Sequence, residues 1–188
     1  MVFDIFNRRK KAVLSKKDKS SKGDWDEKIK GLCDKINLLE DYCTTSSCSG
    51  RILVMKDEDK KGSNLFLAVW HVLIDLEKFL KSLPKEKAGL NLKFKQESPI
   101  LHVACRDLDS AFKLLDKAQK VGWKRSGLIG DGKNHYIVEL VSTEKLEFPL
   151  TKNGRMLVDE EFLKIVLEKA NENLKKSWEK INKLKNSL

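Results

Sequence analysis

The chain has 188 residues, 40% of them hydrophobic and 35% charged, with 38 Lys and Arg against 28 Asp and Glu and a formal net charge of +10. That length suits one domain with a real core, and the basic balance points first to a polyanionic partner, nucleic acid being the commonest. No apolar run approaches the ~18 residues of a membrane span and residues 1–7 are too short for a signal core, so no membrane partner and a cytoplasmic location are expected.

In chain order, Phe3, Ile5, Phe6, Ala12, Val13 and Leu14 predict a helix over 3–18. From Arg8 to Lys22 there are eight Lys or Arg and a single acid, Asp18. This basic arm (1–20) is either a track for a phosphate backbone or a solvated helix face. Asp24 or Asp26 can cap a following helix, whose Ile29, Leu32, Cys33, Ile36 and Leu39 share one face. The stretch Thr44-Thr45-Ser46-Ser47-Cys48-Ser49-Gly50-Arg51-Ile52 then gathers hydroxyls, one Gly and one Arg, with no acid. It reads as a polar turn emptying into a buried strand. Small donors ending in an Arg fork can cradle an anionic ligand, whereas the local reading is an ordinary Ser/Thr turn. The spaced glycines of a P-loop are missing.

Strand-like runs follow at 51–55 and 65–70, with Lys60-Lys61-Gly62-Ser63 as a turn between them. A helix at 75–83 ends at Pro84, and strands are expected over 90–95 and 100–105. Residues 107–121 form an amphipathic helix closed by Gly122. After Trp123-Lys124-Arg125-Ser126-Gly127 come Leu128-Ile129, a turn at 130–133, and strands at 136–141 and 146–150. Pro149 suggests an edge. Asp159 caps a long terminal helix with an apolar stripe from Leu163 to Leu188, interrupted by Asn171.

The expected fold is α+β: a single domain with a mixed or largely antiparallel sheet flanked by helices, its core over 21–158 and its C-terminal helix over 159–188. No Gly-rich turn follows the first strand, which disfavours a Rossmann methyltransferase or any other dinucleotide-type fold. Cys33, Cys43, Cys48 and Cys105 lack zinc spacing, so no structural metal is expected. Among candidate chemical groups, His71 and His102 sit at or in apolar strands, where a core role is the commoner one. Arg106 lies at a strand end. Lys124-Arg125-Ser126-Gly127 repeats the basic, hydroxyl and glycine grammar of Ser49-Gly50-Arg51. Alternation turns Glu139 away from Val138 and Leu140, towards water or a pocket.

Tyr42–Ile52 (YCTTSSCSGRI) resembles the hallmark segment of the tRNA wybutosine-synthesising protein 3 family. Lys22-Gly23 with Asp26, His71, Phe94-Lys95, the block ILHVACR at 100–106, GWKRSG at 122–127, Val138-Glu139, Ser142-Thr143, Pro149-Leu150 and Ala170-Asn171 follow in the family's order. Trp123 stands where the family usually has Phe, and the arm before Ser20 lies outside the likeness. The short standalone form is similar to archaeal members. The resemblance implies an S-adenosylmethionine-dependent methyltransferase that methylates N4 of 7-aminocarboxypropyl-4-demethylwyosine at position 37 of tRNA(Phe), on a non-Rossmann fold. The implied partner is the tRNA(Phe) anticodon stem-loop. On that footing Ser46, Ser47, Ser49, Gly50, Arg51 and His71 are expected at the cofactor, with Arg51 and the serines on a carboxylate. Arg106, Lys124, Arg125 and Ser126 would face tRNA, Trp70 or Trp123 would stack on the base, and His102 or Asp26 would accept the proton. The competing expectation is a non-catalytic tRNA anticodon-loop binding protein.

Overall fold

A computed structural model describes residues 5–15, 26–58, 65–84, 89–130 and 136–188. Lys22-Gly23, Asp24, the 60–63 turn and Asp131–Lys133 lie outside the described residues. The elements run α1 (Ile5–Leu14), α2 (Glu27–Leu38), β1 (Tyr42–Cys48), β2 (Arg51–Lys56), β3 (Phe66–Trp70), α3 (Leu76–Ser82), β4 (Leu92–Glu97) and β5 (Ile100–Cys105). They continue with α4 (Leu108–Lys120), β6 (Gly127–Leu128), β7 (Tyr136–Val141), β8 (Leu146–Lys152), β9 (Arg155–Met156) and α5 (Glu160–Ser187). The architecture is α+β with a long C-terminal helix. Its strands divide between two sheets rather than one, and every pairing among the described residues is antiparallel. No helix among those residues is long and apolar enough to cross a membrane.

The chain forms two compact units, each assembled from separated segments: 1–49, 99–143 and 177–188 in one, 50–98 and 144–176 in the other. The first unit holds the sheet β1-β5-β7-β6. One face of that sheet presents Leu101, Val103, Cys105, Val138 and Leu140 to a core completed by Ile29, Leu32, Cys33 and Ile36 of α2, Ala111, Leu114 and Ala118 of α4, and Ile181 and Leu184 of α5. The 3–4 spacing of the helical positions supplies the stripe, and the strict alternation of the strand positions supplies the face. Each large side chain buried this way stabilises the fold by about 1.5–3 kcal/mol before entropy is subtracted. Asp107 caps α4 by accepting from the Ser110 N–H at 2.8 Å, and Gly122 closes the helix at φ 106°, a left-handed conformation that suits glycine.

The second unit holds the sheet β3-β2-β4-β8-β9. Ile52, Leu53, Val54, Leu92 and Phe94 are buried in it with Leu163, Leu167, Ala170 and Leu174 of α5. A run of aromatic contacts, Trp70–Phe79–Phe94–Phe148–Phe162, threads the unit with centroid separations of 5.9, 5.8, 5.1 and 5.5 Å. The polar break in the α5 stripe has a function here. Asn171 accepts from the Ile74 N–H at 3.0 Å and donates to the Ile74 carbonyl at 2.8 Å, satisfying both backbone groups of one residue. Pro149 sits in β8, which is interior in strand order. Among the described residues, the neighbouring β9 pairs with Thr151 and Lys152 alone, so β8 has no described strand partner on its outer side at Pro149.

Candidate active site

The polar stretch expected to be a turn is β1 itself. Only Ser49 and Gly50 turn, with Gly50 at φ 91°, a conformation that disfavours a side chain. Hydroxyl residues are accepted in this strand because their polar groups are matched. The Asn37 side chain of α2 accepts from the Thr44 N–H and donates to Thr44 Oγ1, both at 2.8 Å.

Strand alternation then separates the hydroxyls that the sequence lists together. Ser47 pairs opposite Leu101 on the core face. Ser49 is fully buried, and its N–H and Oγ both donate to Asp26 Oδ2, at 2.9 and 3.2 Å. The Ser49 hydroxyl is thus buried and occupied in its own turn, whereas Ser47 is only half-buried. Asp26 occupies the N-cap position of α2 yet makes no side-chain cap bond, and its Oδ2 fixes the turn instead.

Ser46 points the other way. A β-bulge between Thr44 and Ser46 inserts Thr45 as an extra residue, so that Ser46 rather than Thr45 pairs with His102. His102 in turn pairs with Glu139, and Glu139 with Gly127. Four strands thus contribute one row, on the face opposite the core. Ser46 Oγ lies 2.9 Å from His102 Nδ1, and His102 Nε2 lies 2.7 Å from Glu139 Oε2. The His102 and Glu139 side chains keep 28% and 32% of their exposure. Thr45 Oγ1 donates to the His102 carbonyl at 3.3 Å. At Gly127 a Cβ would meet nothing within 4 Å, so the flank of the row beside Glu139 is open. The expected catalytic His102 is therefore part of a constellation that includes Glu139, a residue to which the sequence reading gave no chemical role.

Arg106 is held in the same unit. Its Nε donates to Asp41 Oδ1 at 2.6 Å, and its guanidinium lies 5.0 Å from the centroid of the Phe6 ring. Lys124 and Arg125 are exposed. Ser126 is occupied in its own turn: its Oγ donates to the Trp123 carbonyl at 2.7 Å and accepts from the Val141 N–H at 3.0 Å. Trp123 is fully buried and its indole N–H donates to the Lys180 carbonyl. It fills the core, so it cannot stack on an extruded base, and that expectation is corrected.

The second unit holds Gly50, Arg51, Trp70 and His71. Arg51 Nε donates to Glu97 Oε2 at 2.7 Å, while the guanidinium sits over the Phe66 ring at 5.1 Å. Burial pushes the Glu97 carboxyl up, but the Arg51 hydrogen bond and charge, with Lys95, outweigh it and hold Glu97 below the usual carboxylate value. An Arg fork is the donor type that pairs with a carboxylate, the chemistry found at the amino-acid end of S-adenosylmethionine. Trp70 and His71 are half-buried, Trp70 packing on Phe79.

Cys33, Cys43 and Cys105 are poor nucleophiles. Burial pushes the thiols of Cys33 and Cys105 up to about 12, and that of Cys43 up as well, and none of the four cysteines is in a disulfide.

A family model described as Methyltransferase TYW3 matches residues 8–188. The tRNA(Phe) 7-((3-amino-3-carboxypropyl)-4-demethylwyosine(37)-N(4))-methyltransferase of Thermococcus sibiricus is 37% identical, over 99% of this chain and 94% of its own. The Pyrococcus furiosus methyltransferase 1 of the same name is 39% identical, over 97% of this chain and 94% of its own. The solved structure of the PH1069 protein from Pyrococcus horikoshii superposes with a TM-score of 0.84 at 37% identity, covering 96% of this chain and 94% of that one.

Proposed function

The chain belongs to the methyltransferase TYW3 family, and on that footing we propose that it methylates N4 of 7-aminocarboxypropyl-4-demethylwyosine at position 37 of tRNA(Phe), with S-adenosylmethionine as donor. The observation that carries this reading is the near-full-length likeness to archaeal relatives bearing that activity in their names. The row of Ser46, His102 and Glu139 supports it, because methylating a nitrogen requires a group that removes its proton.

S-adenosylmethionine, when bound, supplies an electrophilic methyl group on a sulfonium. The chain's own residues position the partners and handle the proton, and positioning can account for most of the rate. Arg51, steadied by Glu97 and the Phe66 ring, takes a carboxylate, either that of the methionine moiety or that of the aminocarboxypropyl arm. His102 takes the proton that the ring nitrogen loses. Lys124 and Arg125 meet tRNA phosphates, where their exposure lets both side chains follow a backbone.

The test is methyl transfer by the purified chain to tRNA(Phe) carrying the demethylated tricyclic base, read by nucleoside mass spectrometry. One added methyl that depends on S-adenosylmethionine is expected. Tight binding of that verified substrate with no methyl gained would overturn the reading.

A further inference from the structure

Both ring nitrogens of His102 are already in hydrogen bonds. Nε2 meets Glu139 at 2.7 Å and Nδ1 meets Ser46 at 2.9 Å. A substrate nitrogen therefore has no direct access to the imidazole unless one of these contacts breaks. Ser46 is the exposed end of the row, whereas His102 is only part-exposed behind it. The bulge at Thr45 exists in the strand at the one point that brings Ser46 onto this face.

We infer that Ser46 is the group that meets the reacting nitrogen, passing its proton to His102, and that Glu139 is the positioning residue that makes His102 able to receive it. This rests on the methyl-transfer reading above. A carboxylate only accepts hydrogen bonds, so the Glu139 contact places the ring hydrogen of neutral His102 on Nε2. Nδ1 is then a lone pair, and Ser46 O–H is its donor. The Ser46 oxygen keeps lone pairs for a donor from outside, here the N–H of the tricyclic base. As the new nitrogen–carbon bond forms and the sulfur–carbon bond breaks, the N–H proton goes to Ser46 Oγ and the Ser46 proton goes to His102 Nδ1. The positive charge lost from the sulfonium ends on the imidazolium, facing Glu139, and the extra proton leaves to water. The open flank at Gly127 leaves Glu139 uncovered by the neighbouring strand.

Single-turnover methylation by the full chain, with calorimetric S-adenosylmethionine binding and 15N-histidine spectra, tests this. His102 is assigned by the signal lost in His102→Gln. In the wild type, His102 is expected as the Nε2–H tautomer. Ser46→Ala is expected to lower the methylation rate about 100-fold while cofactor affinity stays within about twofold. Glu139→Gln is expected to cost about tenfold in rate with substrate affinity retained and a mixed tautomer, and Glu139→Asp to recover part of the rate. An unchanged rate in Ser46→Ala, or a loss confined to cofactor affinity, overturns the relay. So does an Nδ1–H tautomer in the wild type, a measurement that decides the matter even where a variant fails to fold. A wild-type chain that never methylates its substrate sinks the methyl-transfer reading itself, whereas a methylating wild type with an indifferent Ser46→Ala sinks the relay alone.

Discussion

Each unit lines up charged or polar side chains across neighbouring strands, but the two lines are composed differently. In the second unit Arg51, Glu97, Lys95, Glu147 and Lys145 alternate in sign along a ladder, with contacts of 2.7, 3.3, 3.7 and 3.0 Å. In the first unit the row Ser46, His102 and Glu139 joins a hydroxyl at its exposed end, an imidazole and a carboxyl group. A ladder of fixed opposite charges is balanced at every rung and orients what it holds. A row with a proton to move can change state. On the proposed function, binding falls to the Arg51 side and proton handling to the His102 side.

The sharpest way to break that contrast is to remove its two central residues separately. His102→Ala is expected to lower kcat by about 100-fold or more with KM little changed. Arg51→Ala is expected to raise KM for the carboxylate-bearing ligand by about 10–100-fold, as the loss of a charged hydrogen bond does. Steady-state kinetics separate the two, and an exchange of these effects would reverse the assignment. Next in size is Asn171→Ala. It leaves the N–H and carbonyl of Ile74 without their partner and is expected to cost about 1–3 kcal/mol in urea unfolding, without touching either line of charges.

The ladder also makes a pH prediction. Glu97 is held below the ordinary value of 4.5, so its contribution to stability is present above that value and fades as pH falls through its lowered one. Glu97→Gln is expected to be less stable than wild type at neutral pH, with the gap closing in acid once the wild-type carboxyl is protonated. A constant gap across the acid range would show that the ladder does not depend on that charge. Smallest of all is Lys120→Ala, which breaks an exposed pair with Asp116 on α4. It is expected to stay within about 0.5 kcal/mol, and a thermal melt serves as the baseline for the larger effects.

Much of this was legible in the sequence. The 3–4 spacing of Ile29, Leu32, Cys33 and Ile36 and the alternation of 136–141 gave α2 and β7 nearly as they fold. The antiparallel preference followed from short connections. The β1 stretch was the failure, and for a physical reason. Ser and Thr favour turns when nothing satisfies them, but a helix carrying Asn37 across from Thr44 makes an extended strand acceptable. That partner is seven residues away in sequence and becomes a neighbour only in the fold. The same blindness grouped Ser46, Ser47 and Ser49 as one cradle, although a period of two and a bulge send them to different surroundings. Trp123 misled in the opposite way, since the indole expected from the resemblance to stack on the base fills the core. His102 was picked out, but Glu139 became meaningful only through register.

The Asn37–Thr44 pair acts as the reading frame of β1. Its hydrogen bonds and the core-facing Thr44 fix where counting starts, and the extra residue at Thr45 then decides which hydroxyl falls in step with His102. A helix residue on the far side of the sheet from the imidazole thereby selects its partner. Asn37→Ala would loosen that frame and let Thr45 compete with Ser46 for the place beside Nδ1, so the identity of the exposed hydroxyl is set by a residue that never comes near it.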